Sequence, residues 1–304
     1  MEMNNNALNI KQYIQAQAEK VELELARSVP VKWDIPVKLR EAMSYSLMAG
    51  GKRMRPILLL AVVEALGGRE EAAMPIACAV EIIHTYSLIH DDLPAMDNDN
   101  YRRGKLTNHK VYGDAMAILA GDALLTHAFY CVVQASRAYS LPAEQVLSII
   151  EEMSVLSGAK GMVGGQGADW LGEQGMTGLD QLDYIHRHKT GDLIVFSLKA
   201  GGRIANASPL QLQALERFGY NIGLAFQIQD DILDLVGDEQ KLGKPLKSDE
   251  KQKKVTYPYL LGLGASQAKV KELTVEAKRA LHSAQLPNPD RLLELAEYLM
   301  RRDH

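Results

Sequence analysis

Along the whole chain, apolar residues recur at the three-to-four-residue spacing of a half-buried α-helix. Leu8 to Ala26 and Val37 to Ala49 read as amphipathic helices with polar outer faces. Pro56 suits an early position in the helical run I-L-L-L-A-V-V-E-A-L, which Gly67 and Gly68 bring to a stop. Ala72 to Asp92 and Asp114 to Ala138 are long apolar helices, and Ala143 to about Gly161 is amphipathic. A glycine-rich stretch follows at Gly161, Gly164, Gly165 and Gly167. Helices over Leu179 to Gly202, Leu210 to Val236, Ala265 to Ala284 and near Asp290 to Met300 complete the set. Alternating strand patterns and hairpin dipeptides are missing, and neither a linker-like composition shift nor a repeat interrupts the texture. The pattern predicts a single all-α domain over residues 1–304, a bundle of about ten helices around a central cavity.

Composition narrows the function classes. With 304 residues, 47% hydrophobic and 24% charged, the chain has ample material for a core. Its 34 basic and 38 acidic residues give a net charge of −4, so nothing marks a nucleic-acid or membrane protein. Any anion site must then be a local basic cluster. Cys78 and Cys131 both lie in apolar helical context and read as buried free thiols of a reducing compartment. We read no charged-then-apolar leader, no apolar run long enough to cross a bilayer and no lipidation motif, and expect a cytoplasmic protein.

The chemistry concentrates in two acidic stretches. His84 to Asp97 reads H-T-Y-S-L-I-H-D-D-L-P-A-M-D, and Gln227 to Asp234 reads Q-I-Q-D-D-I-L-D. Burying an uncompensated carboxylate costs several kcal/mol at least, so acids behind apolar helical runs should be exposed, paired or metal-bound. Asp230 and Asp234 are four apart and share a helix face. Pro94 breaks the upstream helix soon after Asp92, so Asp97 can fold back toward Asp91. Two oxygen-rich clusters on different helices, expected to face each other across the bundle, suit Mg²⁺ with waters and a phosphorylated substrate.

Basic residues suggest what that substrate is. G-G-K-R-M-R-P places Lys52, Arg53 and Arg55 between a glycine pair and a helix start, where backbone N–H groups and Arg forks favour anions. Y-R-R-G-K follows Asp97 with Arg102, Arg103 and Lys105; H-K-T-G supplies Lys189 and Thr190; L-G-K-P supplies Lys244. Basic clusters adjacent to acidic ones imply diphosphates neutralised by both Mg²⁺ and side chains.

Taken in this order over nearly the whole chain, these motifs resemble those of the trans-isoprenyl diphosphate synthases, most closely the bacterial farnesyl diphosphate synthases. The resemblance implies an all-α isoprenoid-synthase fold, a homodimer, and condensation of isopentenyl diphosphate with dimethylallyl and then geranyl diphosphate to (2E,6E)-farnesyl diphosphate. It further implies that Asp91 and Asp97, assisted by Asp92, and Asp230, supported by Asp231 and Asp234, hold Mg²⁺, about three ions per site, with Mn²⁺ as a substitute. By the same likeness Lys52, Arg55, His84 and Arg103 bind isopentenyl diphosphate, while Arg102, Lys189 and Lys244 bind the allylic diphosphate. Thr190 and Gln227 would sit near the allylic carbon. His84 also precedes Asp91 by two turns on the same helix face. Tyr86 lies five residues before Asp91, roughly 7.5 Å deeper along the helix, where its ring could floor the cavity beside the small Ser87.

The sequence offers no catalytic triad, and ionisation, condensation and elimination need no covalent nucleophile. Asn98, Asn100 and Tyr101 stand where relatives often carry further acids and a leucine, and Val255 stands where a small polar residue is common. Three alternatives share much of this pattern. A geranyl or geranylgeranyl diphosphate synthase differs in product length. A class I terpene cyclase has no use for a second diphosphate site. A non-catalytic subunit of a heteromeric synthase would be expected to have lost acids that are intact here.

Overall fold

The computed structural model describes residues 2–172, 178–236 and 255–300. Its chain divides into two compact units, Met1–Glu64 with Gly68–Ile150, and Ala65–Gly67 with Glu151–His304. In chain order the helices are α1 (Glu2–Ser28), α2 (Val37–Leu47), α3 (Met54–Ala65), α4 (Glu70–Asp91), α5 (Asn108–Tyr112), α6 (Asp114–Tyr139) and α7 (Ala143–Ser157). They continue with α8 (Met162–Gly172), α9 (Leu179–Ile185), a π-helical turn (His186–Gly191), α10 (Asp192–Ile204), α11 (Pro209–Val236), α12 (Tyr257–Leu261), α13 (Leu263–Ser283) and α14 (Asp290–Met300). Helices outnumber the ten or so expected partly because Gly113 (φ 83°) and Gly262 (φ 82°) each split a short helix from a longer one. Such positive φ angles suit a residue without Cβ.

In the first unit α4 packs along α6. Small residues permit the close approach: Ala73 and Ala77 on one face of α4, and Ala117, Ala120, Gly121 and Ala128 on one face of α6, are all buried. A Cβ on Gly121 would collide with the His90 ring. Ile76, Ile82, Ile83 and Ile89 of α4 are almost wholly buried, each stabilising the fold by about 1.5–3 kcal/mol. Contrary to the sequence expectation, α4 (22 residues) and α6 (26 residues) are long and apolar enough to cross a membrane. Both helices do carry polar residues, Glu81 and His84 on α4 and Asp122 and His127 on α6. Most of α4 is instead spent in the core.

The second unit is built on α10, α11 and α13. A Cβ on Gly219 would come within 2.9 Å of Val195 and Leu198, so α11 lies directly on α10. Ala225, Ile228 and Ile232 of α11 join Leu182, Tyr257, Val270 and Leu273 in one apolar cluster. Beyond Gly161 the glycine-rich stretch is helical and lies in α8. Gly165 is required there because a Cβ would strike the backbone of Lys189. Packing overrides the poor helix propensity of glycine.

Candidate active site

In the first unit, α4 ends at Asp91 and Asp92 caps it, as Pro94 dictates. The chain then doubles back. Asp97 N–H donates to the Asp91 carbonyl at 2.9 Å, and Asn98 N–H donates to the Leu93 carbonyl at 3.1 Å. Asn98 takes a left-handed φ of 53°, which asparagine tolerates. This turn brings the partly buried Asp91 and Asp97 together, as the sequence implied.

Asp92 behaves differently. It is buried, and Arg102 Nε donates to its two oxygens at 2.7 and 2.9 Å, while Arg102 Nη2 lies 3.4 Å from Asp99 Oδ2. Burial pushes the Asp92 carboxyl up, against the pull of Arg102. Two residues assigned separate roles from sequence, one on metal and one on diphosphate, therefore meet each other.

Arg102 belongs to a two-stranded hairpin, β1 (Tyr101–Arg102) with β2 (Lys105–Leu106), that the sequence reading did not anticipate. Its central residues, Arg103 (φ 53°) and Gly104 (φ 75°), both have positive φ, as in a type I′ turn. Thr107 pins its base, donating Oγ1–H to the Asp99 carbonyl at 2.7 Å. Arg103 points to the glycine pair and donates Nη1–H to the Gly50 carbonyl.

The basic segment before α3 splits in two. Arg53 turns inward: Nη1 lies 2.6 Å from Glu81 Oε1, Nη2 donates to the Leu47 carbonyl at 2.9 Å, and Nε reaches Glu22 at 3.4 Å. It is a structural ion pair. Arg55, in contrast, holds a buried Nε with no hydrogen-bond partner among the described residues, and burial lowers its pKa, against Glu81. An orphaned guanidinium donor of this kind fits an anion. His84 lies in the same field. Burial, followed by the charges of Arg55, Arg103, Arg102 and Arg53, holds its imidazole well below the usual range. Arg55, His84 and Arg103 thus share one electrostatic neighbourhood. Lys52 is exposed beside it.

Tyr86 is 5% exposed, and its ring meets His90 edge-on at 5.8 Å, the same His90 that lies against Gly121 of α6. Ser87 is partly buried and donates to the His84 carbonyl at 2.9 Å.

In the second unit, Lys189 and Thr190 lie in the π turn. Lys189 Nζ donates to Asp169 Oδ2 of α8 at 2.6 Å, and Thr190 is buried. Gln227, Asp230 and Asp231 are partly buried on α11, and Asp234 is buried. Asp231 Oδ2 accepts the Tyr257 N–H at 3.0 Å and lies 3.5 Å from His186 Nε2. Sequence reasoning missed Asp169, His186, Asp192 and Tyr220 as neighbours of these residues; an acid directly after K-T-G, within an apolar run, was the available signal. Lys244 and the R-R-D-H terminus lie outside the described residues, whereas Val255 is partly buried.

Among the described residues, no three His, Cys, Asp or Glu side chains form a metal cage. The available donors are carboxylates in pairs, Asp91 with Asp97 and Asp230 with Asp234. That set fits Mg²⁺, which completes its octahedron with waters and phosphate oxygens. It offers no sulfur: both cysteines are free and buried, and burial raises the Cys131 thiol to about 12.

Residues 36–286 match the polyprenyl synthetase family model. The chain is 48% identical to the farnesyl diphosphate synthase of Geobacillus stearothermophilus over 98% of its own length and 99% of that protein. It is also 48% identical to a dimethylallyltranstransferase of Fischerella ambigua, covering 97% of this chain and 84% of that one. Among solved structures, an FPP/GFPP synthase from Zymomonas mobilis superposes with a TM-score of 0.84 at 35% identity, over 97% of this chain and 99% of the other.

Proposed function

The chain belongs to the polyprenyl synthetase family, and from that premise we propose that it is a prenyltransferase making (2E,6E)-farnesyl diphosphate. It condenses isopentenyl diphosphate with dimethylallyl diphosphate and then with geranyl diphosphate. The carrying observation is that the first unit holds a carboxylate turn, Asp91 with Asp97, and a distinct basic neighbourhood of Arg55, His84 and Arg103. Acids that work through a metal on one diphosphate, and cations that bind a second directly, are what a two-substrate synthase needs. A cyclase ionising one substrate does not need both.

Asp91 and Asp97, with Asp230 and Asp234, would hold Mg²⁺, which when bound neutralises the charge growing on the departing diphosphate. Arg55, Arg103, His84 and Lys52 hold isopentenyl diphosphate. Arg102, Lys189 and Lys244 bind the allylic diphosphate; Arg102 does so from its seat on Asp92, and Lys189 exchanges Asp169 for phosphate. Oxygens of Thr190 and Gln227 stabilise positive charge at the allylic carbon, and the apolar lining keeps water from the cation. The isopentenyl double bond attacks, and the proton leaves to diphosphate.

The enzyme acts in the cytoplasm as a homodimer. Ile118 and Leu119 of α6, 44% and 51% exposed, provide apolar surface for a second copy to cover.

The test is incorporation of radiolabelled isopentenyl diphosphate by the pure protein with each allylic primer and Mg²⁺. A fifteen-carbon alcohol after dephosphorylation is the expected product. Failure to incorporate with any primer would overturn the reading.

A further inference from the structure

The helix running from Leu179 to Ile204 is α-helical at both ends but winds as a π-helix over His186–Gly191, the turn that carries Lys189 and Thr190. A π turn is rare and weakly bonded, and it persists where surrounding contacts hold it. Here those contacts converge on one side chain. Asp192, the first residue after the turn, is 1% exposed. Its Oδ2 lies 2.7 Å from His188 Nδ1, inside the turn, and its Oδ1 accepts the Tyr220 hydroxyl of α11 at 2.8 Å. The Arg187 guanidinium lies 4.6 Å from the centre of the Tyr220 ring, and Tyr184 packs its ring 4.2 Å from that of His188. Beneath them α11 comes so close that a Cβ on Gly223 would lie 3.0 Å from Gly191 Cα.

We propose that Asp192 is a positioning residue: through Tyr220 and His188 it fixes the π turn on α11, and so sets where Lys189 and Thr190 stand. The same helix carries Gln227, Asp230 and Asp234, so the turn is registered to the element that supplies the other groups of this unit. A buried carboxylate with two hydrogen-bonded partners costs less than a lone one, and its removal leaves the Tyr220 hydroxyl unpaired. Lys189 and Thr190 would then sample the ordinary α register, which displaces them around the helix axis. The role of Lys189 and Thr190 rests on the proposed function, but the fastening of the turn does not.

Tyr220→Phe keeps the ring under Arg187 and removes only the hydroxyl. Amide hydrogen exchange, followed by mass spectrometry on peptides covering residues 186–191, should quicken by about tenfold or more in this variant, with other peptides unchanged. In the condensation assay kcat should fall by about tenfold or more, while KM for isopentenyl diphosphate holds. Asp192→Asn, which preserves an acceptor for Tyr220, should restore most of both relative to Asp192→Ala. A wild-type protein without condensation activity would refute the function, leaving the exchange data to judge the fastening. Unchanged exchange in Tyr220→Phe overturns the proposal. So does faster exchange with unchanged kcat in an active enzyme, because the contact would then be merely structural.

Discussion

Arg103 fills the space that a side chain on Gly51 would need: a Cβ there would lie 2.6 Å from the guanidinium carbon. Arg103 also donates to the carbonyl of Gly50. The glycine pair and the hairpin tip, more than fifty residues apart in sequence, are therefore one device, and the arginine it seats belongs to the basic neighbourhood of Arg55 and His84. Gly51 has a φ of 130°, so a side chain is excluded by backbone as well as by space. Gly51→Ala should raise KM for isopentenyl diphosphate by about tenfold or more, with little change for the allylic substrate. Equal changes in both constants would separate Arg103 from the isopentenyl site.

Activity should depend absolutely on a divalent metal, and Asp91→Ala or Asp230→Ala should each lower kcat by about two orders of magnitude or more. Each removes a carboxylate while leaving its helix intact, so circular dichroism should not change. Near-normal turnover in either variant would remove that acid from the metal site.

Arg53 predicts stability rather than catalysis. Its buried pairing with Glu81 means that Arg53→Ala takes the nearest counter-charge from a carboxylate in the core and leaves only the longer 4.0 Å contact with Arg103, a change that costs up to about 3–5 kcal/mol. Urea midpoints should fall accordingly. The double variant Arg53→Met, Glu81→Leu should recover part of the loss, because the buried carboxylate leaves together with its nearest partner.

These cases show what was legible in the sequence. The fold back of Asp97 onto Asp91 was, because a proline just beyond a helical run ends the helix and frees the chain to turn back. The helix order was too, because periodicity is local. The partition of R-R-G-K was not. Arg102 ends strand β1 and finds Asp92, whereas Arg103 opens the turn with a positive φ and finds the glycine pair. No hairpin dipeptide announced that geometry. The helix over Gly164 to Gly167 was hidden for a different reason, since Gly165 serves a contact with Lys189 that only the tertiary fold creates. Arg53 and Arg55, two apart in one basic string, likewise have opposite fates.

His84 gives a pH signature. Burial, reinforced by Arg55, Arg103, Arg102 and Arg53, keeps it neutral in the folded protein at pH values where an ordinary histidine, with its value of 6.5, is charged. The unfolded chain therefore binds more protons at this position below pH 6.5, and stability rises with pH there. Above that value the contribution is flat. Urea midpoints should fall from pH 6.5 toward 5, and His84→Gln should remove this part of the slope. An unaltered slope in the variant would show that other groups govern it.

Tyr86 carries the prediction on product length. With the allylic diphosphate held at Asp91, as proposed above, the hydrocarbon tail would run from the helix end into the apolar interior of the first unit. Tyr86 lies five residues back along α4, roughly 7.5 Å deeper. It is 5% exposed, on the helix face that also carries His90, and its ring lies edge-on to that imidazole. His90 in turn is seated against Gly121, so the aromatic pair is braced by α6 and cannot swing aside cheaply. Ser87 is small and leaves room beside the tail. A braced ring at this depth would stop growth at fifteen carbons, while alanine would open the floor. Tyr86→Ala should therefore release products of twenty carbons or more, read by chromatography of the dephosphorylated products beside those of the wild type. Truncating a buried aromatic also costs about 3–5 kcal/mol, so the comparison requires a variant that is still folded and turns over. A fully active Tyr86→Ala protein that still stops at fifteen carbons would place the floor on another residue.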